Sequence, residues 1–233
     1  DTNLRKNLAP LIGIPDAGSL SKEEWLRELQ KKTELDILVE FPWVERQPDI
    51  KRYFARLLRW REKVEQGVAD ESDLEAAVGD CQKLLEVIMQ WMIRTFPAES
   101  GAIPDQKRRS WKLNRDILRA LQIPSFTTRV IKVLAGQDLK QVLRASENPT
   151  SSLKALLFAA GFGVISAPAH PLRELSSEDL DLEKLVALAD LRNQSSHGQS
   201  QFNDRSGKDL SKGLALENIE YAMNFAGCFQ GWM

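Results

Sequence analysis

The chain has 233 residues, 42% of them hydrophobic and 28% charged, with a formal net charge of −1. That is ordinary globular usage for one large domain or a small module followed by a second one, and it excludes a global positive field that would draw the chain onto nucleic acid or membrane. The absence of a membrane-length apolar run or a signal-peptide pattern predicts a cytoplasmic protein, and two cysteines without a Cys-x-x-Cys or a Cys/His cluster exclude a structural zinc site.

Ser21-Lys22-Glu23-Glu24 reads as a capping box ahead of a short amphipathic face, Trp25, Leu26 and Leu29. Residues 35–41 are apolar up to Pro42 and fit one or two helical turns or a short strand. Pro48 suits the first turn of a helix whose apolar residues Ile50, Phe54, Leu57, Leu58 and Val64 recur at helical steps until Gly67. Asp70 or Ser72 starts the next helix. Its stripe, Leu74, Ala77, Val78, Cys81, Leu84, Leu85, Ile88, Trp91 and Met92, is the strongest in the chain and ends at Pro97.

After a loop at 98–105, helices are predicted over 105–121, 125–135, 137–147 and 151–160, the last closed by Gly161 and Gly163. Residues 164–175 read as an extended loop. Ser176 or Ser177 then caps a helix through Leu182, Leu185, Val186, Leu188, Ala189 and Leu191. A polar, glycine-bearing stretch at 195–210 precedes a final helix with Leu214, Leu216, Ile219, Met223, Ala226 and Phe229. No alternating strand pattern and no repeat is present, so the expected class is all-α, an irregular helical bundle. A boundary is expected near Gly67–Glu71, dividing an N-terminal helical module, 1–70, from a main bundle, 71–233. The chain opens on Asp1 rather than Met, which fits an excised region or processed product with a further, regulatory domain elsewhere.

Only two histidines occur. His170, between Ala169 and Pro171, reads as an exposed or capping loop residue. His197 stands instead at the end of a well-patterned helix, in the run Leu191-Arg192-Asn193-Gln194-Ser195-Ser196-His197. These residue types suit metal-independent RNA cleavage. An imidazole titrates near neutrality and can accept or donate a proton, while a guanidinium stays charged and matches phosphate oxygens with a fixed fork of donors. Asn193 can orient a phosphate or the imidazole without adding charge, and Ser195 and Ser196 read as polar filler or auxiliary donors. The bland alternative is a helix end at which Arg192 favours the dipole and His197 is an exposed loop residue.

The run Arg192-Asn193-x-x-x-His197, at the end of one helix and ahead of a final amphipathic helix, resembles the signature of the HEPN family (higher eukaryotes and prokaryotes nucleotide-binding). The resemblance covers at most residues 71–233, and its specific part is 192–197. It implies an all-α bundle that pairs two copies of the signature across a two-fold dimer interface. It further implies an endoribonuclease of antiviral defence or toxin systems, working without metal or other cofactor, with Arg192, Asn193 and His197 as its catalytic set. An inactive dimerisation or RNA-binding module, and a helical adaptor for another protein, are the alternatives.

Arg108, Lys112, Arg115 and Arg119 fall at i, i+4, i+7 and i+11 in the predicted helix 105–121, a face that can track a phosphate backbone or simply be solvated. A second group, Arg52, Arg56, Arg59, Arg61 and Lys63, is diluted by Glu62 and Glu65 and is expected to face solvent. No glycine-rich phosphate loop and no Gly-x-Ser-x-Gly occurs, and the abundant carboxylates form no Asp/Glu cluster of the kind two-metal chemistry needs, so nucleotide hydrolysis, serine hydrolysis and two-metal chemistry have no support in the sequence.

Overall fold

A computed structural model describes residues 41–98, 115–135, 152–196 and 211–233, together with Ser21, Glu24, Arg27 and Ile37. The described residues form a 3-10 turn, Pro42–Arg46, and eight α-helices without a strand: α1 Pro48–Glu65, α2 Glu71–Thr95, α3 Arg115–Ala120, α4 Thr128–Leu134, α5 Leu153–Ser166, α6 Pro171–Glu174, α7 Leu182–Ser196 and α8 Lys212–Gly227. The architecture is all-α, as the periodicity predicts. Among the described residues no helix is long and apolar enough to cross a membrane. The capping box at Ser21 forms: Glu24 N–H donates to Ser21 Oγ at 3.2 Å, and Ser21 N–H donates to the Glu24 carboxylate at 2.8 Å.

The hub is α2. Leu74, Ala77, Val78, Cys81, Leu84, Leu85, Ile88, Met89, Met92 and Ile93 are all buried, so this helix meets neighbours over most of its circumference, and it packs against α1, α5, α7 and α8. Asp70 is its N-cap, in a reciprocal capping box with Asp73. Gly67, with φ +74°, makes the turn from α1 into α2. The expected boundary near Gly67–Glu71 falls in this turn. The core runs across it, since Ile50, Phe54 and Leu57 of α1 share one apolar cluster with α2, α5, α7 and the Phe225 and Phe229 end of α8. Asp80 adds a polar bolt: its carboxylate accepts from Trp60 Nε1 at 2.7 Å and pairs with Arg56 Nε at 2.9 Å.

Three predicted elements differ. The helix expected over 151–160 runs from Leu153 to Ser166, straight through Gly161 and Gly163. These glycines are contact points rather than terminators. A Cβ on Gly163 would collide with the Phe96 carbonyl oxygen, and one on Gly161 would come within 3.2 Å of the Phe126 ring. The extended loop expected over 164–175 contains the short helix α6, with His170 as its N-cap. Neither serine proposed as a cap starts α7. Ser176 closes a turn with Asp179, and the Asp181 carboxylate accepts from Lys184 N–H at 3.1 Å at the helix start. Helix 137–147 and residues 105–114 of the predicted helix 105–121 lie outside the described residues.

Candidate functional site

The signature is carried by α7, whose described backbone is helical through Ser196. Arg192 and Asn193 therefore sit in its last turns. Ser195 and Ser196 also belong to the helix, rather than to the loop expected from 195 onward. His197, Arg108 and Lys112 lie outside the described residues. Arg115 and Arg119 open and nearly close α3; both are exposed and, four residues apart, share one face.

Four neighbouring helices hold α7 along its length. At its start, Glu183 accepts from Thr127 Oγ1 at 2.9 Å and pairs with Arg129 at 3.0 Å, tying α7 to α4. Lys184 pairs with Glu217 of α8 at 2.6 Å, and Tyr221 Oη donates to the Asp181 carbonyl at 2.6 Å. Burial pushes the Tyr221 phenol far up, so it remains a donor. Toward the signature the partners change. Gln82 of α2 donates to the Leu188 carbonyl, and Lys154 of α5 pairs with Asp190. Sequence reasoning singles out neither Gln82 nor the Lys154–Asp190 pair. The one signal it offers is that Lys154 is the sole charge in the otherwise apolar stretch 153–166.

The other titratable candidates are structural. His170 is fully buried rather than exposed, against the Phe96 ring at 5.1 Å, and its Nδ1 accepts from Leu172 N–H at 3.2 Å. Burial pulls the imidazole down to about 4; the nearby Ala160 carbonyl opposes this and the Arg173 charge adds to it. His170 is thus neutral near pH 7 and unsuited to proton exchange with a substrate. Cys81 is buried, and burial raises its thiol far above the ordinary range. Cys228 is only partly buried; it caps the end of α8 and its thiol donates to the Asp179 and Asn224 carbonyls. Of the second basic group, Arg52, Arg56 and Arg59 are exposed, but Arg56 is held by Asp80 and Lys63 by Asp73 at 2.6 Å.

Among the described residues no group of three or more His, Cys, Asp or Glu side chains is placed to hold a metal ion. No family model, no curated protein and no solved structure matches the chain.

Proposed function

We propose that the chain is a metal-independent endoribonuclease of the HEPN type, a defence or toxin effector that cuts single-stranded RNA. The observation that carries this reading is the placement of the signature: Arg192 and Asn193 in the last turns of a helix built into an all-α bundle, His197 directly after it, and a further core helix, α8, following. In this reading the substrate's own 2′-oxygen attacks the adjacent phosphorus and the 5′-oxygen leaves, giving a 2′,3′-cyclic phosphate and a 5′-hydroxyl. His197 transfers a proton, Arg192 carries the added negative charge of the phosphorane, and Asn193 orients the phosphate or the imidazole. A second copy of the signature, brought in across a two-fold axis, supplies the partner for the second proton transfer. Arg108, Lys112, Arg115 and Arg119 bind the RNA backbone.

The test is incubation of the purified chain with end-labelled single-stranded RNA in excess chelator, followed by end-group analysis. Cyclic phosphate termini are expected, with no cleavage of DNA of the same sequence. His197→Ala should slow cleavage by about two to four orders of magnitude. Arg192→Ala should cost a similar amount, and Arg192→Lys should recover little, because an ammonium lacks the two-pronged donor fork. Products ending in a 3′-hydroxyl, or full activity in His197→Ala, would refute the mechanism.

A further inference from the structure

We infer that Gln82 and the Lys154–Asp190 ion pair are positioning residues that hold the C-terminal turns of α7, and with them Arg192 and Asn193, in one register against the core. Lys154 is the second residue of α5 and that helix's one charge. A cation at a helix N-terminus works against the dipole, so the residue is not there to favour the helix. Its side chain is only 14% exposed and that of Asp190 only 17%. Such a pair gains little stability over two apolar residues of the same size; what it supplies is one defined geometry.

Gln82 follows the same logic. It is buried, its amide nitrogen donates to the Leu188 carbonyl, and its Oε1 meets no partner among the described residues. In an α-helix the Leu188 carbonyl is also the acceptor for the backbone N–H of residue 192, four positions on. Both anchors therefore act within four residues of Arg192, one from α2 and one from α5. Apolar packing alone would hold this end loosely in rotation. Leu185 with Val186, and Leu188 with Ala189, are adjacent buried residues that broaden the apolar face, whereas a directional hydrogen bond and a largely buried ion pair admit one setting.

The catalytic consequence rests on the ribonuclease reading, and the placement of the helix end does not. The full chain is prepared with Gln82→Leu, and separately with Lys154→Met and Asp190→Leu together, apolar replacements that leave no buried charge behind. Backbone amide exchange is followed over 188–196, with 71–95 as the reference, alongside RNA cleavage in chelator. Exchange over 188–196 should quicken about tenfold or more while the reference is unchanged, and kcat should fall by about tenfold or more with KM unaltered. Lys154→Asp combined with Asp190→Lys should move both readouts back toward wild type. Unchanged exchange, or a rise of equal size throughout the chain, would overturn the positioning role whatever happens to cleavage. Local quickening with undiminished kcat would overturn its catalytic consequence. A wild-type chain that cuts no RNA, with local quickening in the variants, would sink the ribonuclease reading and leave the positioning role standing.

Discussion

A methyl group added at Gly163 would run into the Phe96 carbonyl oxygen and the His170 ring, whereas one added at Gly79 meets nothing within 4 Å. Two chemically identical substitutions are therefore expected to have opposite signs. Gly163→Ala should destabilise by about 1–3 kcal/mol, through overpacking against backbone that cannot easily retreat. Gly79→Ala, in the interior of α2, should stabilise by about 0.5–1 kcal/mol through helix propensity. Chemical denaturation of the two variants checks both, and a stabilised Gly163→Ala would mean that α5 and the end of α2 cross with room to spare. The same junction sets a pH dependence. The folded state holds His170 at about 4, against 6.5 for the ordinary side chain. As pH falls from 6.5 toward 4 the unfolded chain takes up a proton that the folded chain refuses, so stability drops by roughly 3 kcal/mol across that window. His170→Asn, which keeps a capping acceptor but does not titrate, should flatten the urea-midpoint profile there relative to wild type. Profiles that fall in parallel would remove His170 as the cause.

Among the elements, α3 is where the proposed RNA binding can be tested. Arg115 and Arg119 share its exposed face, and in the sequence Arg108 and Lys112 precede them at helical spacing. Replacing all four with Glu should weaken single-stranded RNA binding. It should also flatten the dependence of log Kd on log salt, by about 0.7 for each phosphate that the protein no longer neutralises. Fluorescence anisotropy across a salt series measures the slope directly, and an unchanged slope would mean that the face is merely solvated. On α1, Asp80 pairs with Arg56 and Asp73 with Lys63 within the fold. Spacing along one helix finds a row of cations in either place. Which of them are already neutralised depends on what the next helix presents, and that is a property of packing.

At the scale of the whole molecule, the proposed mechanism makes a prediction about assembly. One Arg192 and one His197 are sparse for the proposed RNA cleavage, which needs a proton acceptor, a proton donor and a charge stabiliser. A symmetric homodimer that brings two copies of 192–197 together is therefore expected. Sedimentation equilibrium of the full chain at micromolar concentration should return twice the monomer mass of 26.4 kDa. A strict monomer there would remove the composite site. Among the described residues of a single chain, one apolar cluster takes in side chains from Ile37 to Phe229, so dimerisation is not needed to complete the described core.

Element type followed from the sequence by itself because the buried residues of α1, α2 and α8 recur at helical steps, and that recurrence is local. The limits of α1 were equally legible, since Pro48 cannot continue a preceding helix and Gly67 adopts a positive φ. The run Arg192-Asn193-x-x-x-His197 is likewise visible without any structure. Tertiary structure decided the rest. Gly161 and Gly163 look like helix terminators in a string of letters, and only the close approach of Phe126 and Phe96 makes them necessary within α5. His170 looks like a loop residue until α5 and the end of α2 close over it. Gln82 and Leu188 are 106 positions apart, and Lys154 and Asp190 are 36. No local pattern relates residues at such separations; they become neighbours only when the helices carrying them pack.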